Sequence, residues 1–305
     1  MNKVPYVHYP KDKTHLVNTY FLALVPVLLF SFYKNGILLY QNDLISFIDL
    51  FIPLYFYLIS VIVSLLVSWV FKEDKKEMIL YGLILACSIS INTNIILYPI
   101  VLFVSFSIGL TIHKKYSFNF LSLARILLIL ALLVNSYSYM NVAEKIGMFH
   151  YNLFDLFLGF GVGGIASNSL FVLLISFFIL ISGKFYKKII PIMASLSFAC
   201  LFFLFFIFTK DSSYIEGLLN GSVYFGFVFV GAHLTVSPDT KNAMAFYGIA
   251  IGVISAILAL FLPIYEVSYL SIFLVSLFIP LFNRFGYFHS QNLLFKKVVL
   301  NIMTD

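Results

Sequence analysis

The stretch Leu50–Phe71 reads LFIPLYFYLISVIVSLLVSWVF, and it decides the fold class. Its 22 residues include no charged side chain, and the charged run Lys72–Lys76 (KEDKK) follows it. A helix needs about 20 apolar residues to cross the hydrocarbon core of a bilayer. This stretch therefore predicts a membrane-spanning helix.

The composition of the whole chain points the same way. Of its 305 residues, 62% are hydrophobic and 10% are charged, with a mean hydropathy of +1.02. A soluble domain is about half apolar and about a quarter charged, so the composition excludes a soluble enzyme, a nucleic-acid-binding protein and a disordered chain. The two cysteines, Cys87 and Cys200, lie in apolar runs and match no metal or redox spacing.

Apolar runs bounded by charges or turn residues recur along the chain. They are continuous rather than alternating, which favours helices over a β-barrel. The sequence therefore predicts an all-α integral membrane protein with about ten transmembrane helices, at 18–33, 46–71, 78–91, 95–112, 121–140, 164–182, 189–209, 221–235, 244–262 and 267–282.

The basic residues predict the orientation of these spans. With ten spans and a cytoplasmic N-terminus, sixteen of the nineteen Lys and Arg residues face the cytoplasm, and Lys34, Lys145 and Lys210 lie in outer loops. Cytoplasmic loops carry the excess of Lys and Arg in membrane proteins. We therefore expect a multi-pass protein of the cell membrane with both termini in the cytoplasm.

The third span of each half of five is short or interrupted. The run 78–91 leads into a polar stretch at 90–94, and the run 221–235 ends close to Pro238. Interrupted spans at matching places in two halves are typical of inverted repeats with a site at their interface. The predicted organisation is a cytoplasmic segment 1–17, a first five-helix repeat 18–140, an outer loop 141–163, a second repeat 164–282 and a cytoplasmic tail 283–305.

Three further elements resemble one protein family. Residues 156–159 (LFLG) with 163–169 (GGIASNS), residues 119–125 (NFLSLAR) and residues 231–241 (GAHLTVSPDTK) are similar, in order and spacing, to elements of the RnfD/NqrB family. Its members are membrane subunits of ion-pumping, flavin-containing electron-transport complexes. The resemblance implies the same span count, a flavin cofactor, and membrane and redox partner subunits.

Departures from the family pattern limit this inference. The family often carries FMN esterified to a threonine in the loop after the fifth span, but residues 135–152 contain no threonine. Covalent FMN is therefore not expected, and the predicted cofactor is a non-covalent flavin, either FMN or riboflavin. Acidic family positions are replaced by Ser167 and His233.

The resemblance implies a set of cofactor-binding residues. Gly163 and Gly164 are expected to begin a helix whose free N–H groups face the flavin, although small residues equally favour close helix packing in membranes. Arg125 is expected either to reach the cytoplasmic surface, to cap the carbonyl groups of a broken helix, or to pair with a phosphate. The full set is Asn119, Arg125, Gly163, Gly164, Ser167, Asn168 and Ser169.

Four residues form the predicted ion or proton path: Asp155, His233, Thr235 and Ser237. An ionisable group at membrane depth is a functional candidate, although a lone histidine is also a common helix contact and Asp155 could simply cap a helix. No catalytic residue and no metal site is predicted.

The predicted function is a membrane subunit of flavin-linked electron transport or ion translocation. It acts with other membrane and redox subunits, or alone, within the lipid bilayer and without nucleic acid. The alternative is a permease or channel that moves a flavin or another small solute and has no redox role. It rests on the same inverted-repeat pattern.

Overall fold

The computed structural model describes residues 10–116, 118–133, 139, 152–232 and 236–286, with side chains from Lys13 onward. In chain order the helices are α1 Pro10–Phe32, α2 Leu38–Gln41, α3 Ile52–Phe71, α4 Lys75–Ser88, α5 Leu97–Lys115, α6 Phe120–Leu133, α7 Leu153–Leu158, α8 Leu170–Ser182, α9 Ile189–Thr209, α10 Ser213–Leu219, α11 Gly221–Phe225, α12 Lys241–Leu258 and α13 Ile264–Ser276, followed by α14 Ile279–Gly286. Short π-helical segments, Tyr33–Ile37 and Gly226–Gly231, continue α1 into α2 and extend α11.

Five of the described helical stretches are long and apolar enough to cross a membrane. A sixth results if α13 and α14, which are bent by 63° at the break between them, count as one span. Shorter apolar helices occur at Phe120–Leu132, Leu170–Ser182 and Gly221–Gly231. The chain is therefore an all-α, multi-pass membrane protein, and the count of ten spans stays a prediction.

Three features of the helices differ from the predicted spans. The helix that starts with α1 continues through the π-helical segment to Gln41, so Lys34 lies inside a helix and not in an outer loop. The sixth predicted span, 164–182, begins only at Leu170, because residues 163–169 are not helical. The break between α13 and α14 also falls inside a predicted span, 267–282.

The helix contacts occur in matched pairs. The first and third predicted spans pack together in each half (α1 on α4, α8 on α11), as do the second and fourth (α3 on α5, α9 on α12) and the fourth and fifth (α5 on α6, α12 on α13). Between the halves, α1 packs on α8 and α6 packs on α13. Two related repeats would give this pattern, while the repeat boundaries stay a prediction.

Glycines allow the closest of these contacts. A Cβ atom on Gly82 of α4 would lie 2.9 Å from the carbonyl oxygen of Ser60 in α3, and one on Gly252 of α12 would lie 2.3 Å from that of Ala194 in α9. Small residues let helix backbones approach closely in membranes, where dispersion contacts replace the hydrophobic effect. Both helix pairs therefore require a residue without a side chain at these two positions, Gly82 and Gly252.

Candidate functional site at two interrupted helices

The third predicted span, α4, ends inside the protein. The carbonyl oxygen of Cys87 accepts a hydrogen bond from the backbone N–H of Ala166 at 2.9 Å, and that of Ile89 accepts one from Ile165 at 2.7 Å. All four residues are nearly inaccessible to solvent. Carbonyl groups at a helix end have no partner within the helix, and here a non-helical segment that is distant in sequence supplies the donors.

Arg125 caps the same helix end. Its Nη2 donates to the carbonyl oxygen of Ser88 at 2.7 Å and lies 3.3 Å from Oε1 of Glu266. The hydroxyl of Tyr139 also donates to Glu266, and the guanidinium lies 5.3 Å from the centre of the Tyr269 ring. The Arg125 side chain is fully buried. Of the roles predicted for it, the structure shows helix capping, and the expectation that it reaches the cytoplasmic surface is wrong.

The end of the other interrupted helix is satisfied in a similar way. Asn119 Nδ2 donates to the carbonyl oxygen of Val230 at 2.8 Å. The hydroxyl of Tyr186 donates to the carbonyl oxygen of Val228 at 2.9 Å. The backbone N–H of Asn119 in turn donates to Ser276 Oγ. Asn119 therefore caps the end of the segment Gly226–Gly231, and its Oδ1 also accepts from the N–H of Ser122 at the start of α6.

The segment Gly159–Ser169 bridges the two interrupted helices, α4 and the helix that starts at Gly221, through hydrogen bonds. Besides its bonds to α4, the carbonyl oxygen of Asn168 accepts from the N–H of Gly221 at 3.1 Å, and Ser167 Oγ lies 3.2 Å from Ser222 Oγ. Ser169 is the N-cap of α8, since its side chain accepts from the N–H of Val172. The expectation that Gly163 and Gly164 begin the helix is wrong, because the N–H groups that follow them are bonded to α4.

Gly163 and Gly164 of this segment are closely packed. A Cβ atom on Gly163 would lie 2.5 Å from the Asn168 Cβ, and one on Gly164 would lie 2.7 Å from the Ser88 carbonyl oxygen. Ser167, like Asn168 and Ser169, is at most 3% exposed. Of the two alternatives at Gly163 and Gly164, the contacts favour packing, because the protein itself occupies the space beside them.

Lys34 is the most unexpected member of the site. It is 1% exposed, and its ammonium group donates to the carbonyl oxygen of Gly159 at 3.0 Å and to Oδ1 of Asn168. The neighbouring Asn35 donates to the carbonyl oxygen of Ile165 at 2.7 Å. These two side chains fasten the segment Gly159–Ser169 to the first helix.

A cavity of about 290 Å³ lies against this segment. Two asparagines face it: Asn168, and Asn220, whose side chain donates to the carbonyl oxygen of Val162 at 3.0 Å. Asn220 is also the N-cap of α11. The other lining residues are mostly aromatic or apolar, with one acid: Leu156, Gly161, Val162, Phe202, Ser213, Tyr214, Glu216, Gly217, Ala259, Ile264 and Tyr265.

Of the predicted ion path, the structure describes Asp155 and Ser237, which have separate sets of partners. Asp155 lies in the separate short helix α7, where its carboxylate accepts from the N–H of Asn152 at 3.0 Å, as expected of a helix cap. Ser237 is buried on another loop, where Lys187 donates to its carbonyl oxygen at 3.1 Å. Burial lowers the pKa of Lys187, and the nearby Asp239 opposes this shift. His233 and Thr235 lie outside the described residues.

Sequence reasoning missed several members of the site, among them Asn35, Asn220, Lys34 and Glu266. The apolar run 18–33 predicts Lys34 in an outer loop, yet Gly36 to Tyr40 continue the helical pattern beyond it. Glu266 follows Pro263 as an isolated acid at the start of an apolar run, a signal for a helix start. Neither signal could reveal its partner, since Glu266 is 141 positions from Arg125.

Comparison with known proteins agrees with the resemblance seen in the sequence. No curated protein matches the chain. The model of the NQR2, RnfD, RnfE family matches residues 1–289, nearly the whole chain. The family comprises membrane subunits of Rnf/Nqr-type complexes. With its apolar helices and a match of this extent, the chain belongs to the NQR2, RnfD, RnfE family.

Proposed function

We propose that this chain takes part in flavin-linked electron transport and ion translocation as a membrane subunit of an Rnf/Nqr-type complex, with a non-covalent flavin in the cavity lined by Asn168 and Asn220. The family supports the role as a membrane subunit of such complexes. The cavity supports the flavin, and the interrupted helices beside it support ion movement.

The lining of the cavity suits a flavin ring. Small-molecule sites combine apolar and aromatic walls with a few polar groups that fix orientation. Phe202, Tyr214 and Tyr265 offer aromatic faces. The amide groups of Asn168 and Asn220 already hydrogen-bond within the protein, and each keeps one further N–H and one lone pair for the polar edge of the ring. The bound flavin would supply electron transfer, and these side chains would hold and orient it.

The charge of the lining distinguishes between the two predicted flavins. Among the residues that the structure describes, the cavity wall includes the carboxylate of Glu216 and no cationic side chain. A phosphate group placed beside this carboxylate would be repelled, and no Lys or Arg of the lining would compensate it. Riboflavin, which has no phosphate, therefore fits this cavity better than FMN.

One observation carries the link between the flavin and ion movement. The segment that lines the cavity at Asn168 also donates, through Ile165 and Ala166, to the last carbonyl groups of α4. Helix ends and irregular backbone inside a membrane protein are where transported ions bind. A change of charge in the cavity would therefore act on the segment that is hydrogen-bonded to the end of α4.

The test is the flavin content of the purified protein and of two tryptophan variants. Ser213 is exposed and lines the cavity, so Ser213→Trp places an indole ring at its wall. Its neighbour Ser212 is exposed and is not part of the lining, so Ser212→Trp is the matched control. We expect absorbance and extraction to give flavin in the parent and the control, and a loss of at least tenfold in Ser213→Trp.

Each outcome has a definite meaning. Equal flavin content in both variants would exclude this cavity as the site. A parent that binds no flavin, either alone or in its complex, would refute the cofactor proposal. A colourless protein that moves a small solute into proteoliposomes would favour the permease instead.

A further inference from the structure

The partners that the structure describes for the buried ammonium group of Lys34 are neutral. This group donates to the carbonyl oxygen of Gly159 and to Oδ1 of Asn168. Within the described residues, no carboxylate lies within 4.0 Å of it. A buried charge is normally neutralised by a charged partner, so a structural role alone does not explain why this position carries a lysine.

The two acceptors are of the type that binds metal cations. Hard cations prefer carbonyl and amide oxygens, and helix ends with unwound backbone carbonyls hold transported cations in membrane transporters. Gly159 directly follows the last residue of α7, and its φ of +93° turns the chain away there. Its carbonyl oxygen is therefore presented to the protein interior and not to another turn of helix.

The same groups do not suit an anion. An anion requires N–H or O–H donors, but Asn168 directs its Oδ1 towards Lys34, and its Nδ2 donates to the carbonyl oxygen of Gly161 at 2.8 Å. If the ammonium were removed, oxygen atoms would remain around the space it leaves. That space would attract a cation.

We propose that Gly159 O and Asn168 Oδ1 form a monovalent-cation site that the Lys34 ammonium occupies as a tethered cation. An alkali or ammonium ion then binds there only when the lysine side chain is removed. The site does not depend on bound flavin, so it can be tested on flavin-free protein and stands or falls independently of the proposed function.

The experiment compares the wild-type chain with Lys34→Ala and Lys34→Met. The alanine removes the ammonium and its stem and leaves room for a small ion, whereas the methionine removes only the charge and fills much of the space. Thermal unfolding is followed in sodium, ammonium or choline chloride at equal ionic strength. For Lys34→Ala we expect a saturable rise in Tm of roughly 2–4 °C in sodium or ammonium at about ten times the dissociation constant.

The wild-type chain and Lys34→Met should give the same Tm in all three salts. The yield of monodisperse Lys34→Ala protein is the second measurement, and it should rise when sodium or ammonium replaces choline during purification. A folded Lys34→Ala protein that responds to none of the salts would overturn the proposal and leave Lys34 as a structural clamp. The proposal would also be overturned if the yield of Lys34→Ala protein were equally low in all three salts. The same holds if sodium or ammonium raised the Tm of the wild-type chain as much as that of Lys34→Ala.

Discussion

The contact between Arg125 and Glu266 allows a quantitative prediction. In Arg125→Met the apolar volume is largely kept, but the Ser88 carbonyl loses its guanidinium donor and Glu266 loses its charged partner. Removing one member of a buried ion pair costs about 3–5 kcal/mol. Because the Glu266 side chain is 17% exposed and so is only partly desolvated, we expect the lower end of this range.

This loss should be clearly measurable as a fall in Tm. With about 2 °C for each kcal/mol in a large chain, Arg125→Met should lower the Tm by about 6 °C or more. Far-ultraviolet circular dichroism of the purified protein in one detergent gives the midpoint. Lys184→Met, which removes an exposed cation, is the control and should change the free energy of unfolding by less than about 0.5 kcal/mol.

A double-mutant cycle separates the ion pair from general packing. Glu266→Gln keeps an acceptor for Tyr139 but removes the charge, and it leaves Arg125 as the uncompensated group. In the double variant neither charge remains, so the loss of stability should be smaller than the sum of the single losses by about 1–3 kcal/mol. Strict additivity, or an unchanged Tm in Arg125→Met, would refute the assignment of this pair as a structural contact.

Three other predictions address the segment, the cofactor and the orientation. Gly164→Ala places a Cβ atom 2.7 Å from the Ser88 carbonyl oxygen, so it should lower stability by about 1–3 kcal/mol with unchanged flavin content; a stable variant that loses flavin would contradict this. A denaturing gel under ultraviolet light should show no fluorescent band even with a flavin transferase present, because residues 135–152 contain no threonine. Reporter fusions at Lys75 and Lys187 should read inside and one at Lys210 outside, and a reproducible inversion at any of them would contradict the predicted topology.

The sequence was sufficient to place most helices. An apolar run bounded by charges predicts a helix because the bilayer requires one, and α3, α5 and α9 lie within a few residues of the predicted spans. The two short third spans are also confirmed as short, since α4 has 14 residues and the other, which starts at Gly221, ends at Gly231. Both could be predicted because a polar stretch stands where a longer span would continue.

The candidate site was harder to predict because its contacts join distant parts of the chain. Residues 163–169 have a composition that suits the start of a membrane helix, yet two of their N–H groups bond to Cys87 and Ile89, more than 75 positions earlier. Lys34 likewise binds groups 125 and 134 positions away. Periodicity and charge predict the helix in which a residue lies. The roles of Lys34 and of residues 163–169 depend instead on which helix ends meet in the folded chain.

The bonds at the end of α4 also constrain how this region can move. If the segment Gly159–Ser169 moved away alone, two buried carbonyl groups and two buried N–H groups would lose their partners, each at a cost of about 1–3 kcal/mol. Arg125 would still hold the Ser88 carbonyl, and Lys34 would resist at the other end of the segment. Movement therefore requires either that α4 and the segment shift together or that another group replaces the lost donors. A cation can take that place at the carbonyl oxygens but leaves the two N–H groups without acceptors. Ion binding alone therefore compensates only half of the lost bonds, and a joint shift of α4 and the segment, which keeps all of them, costs least.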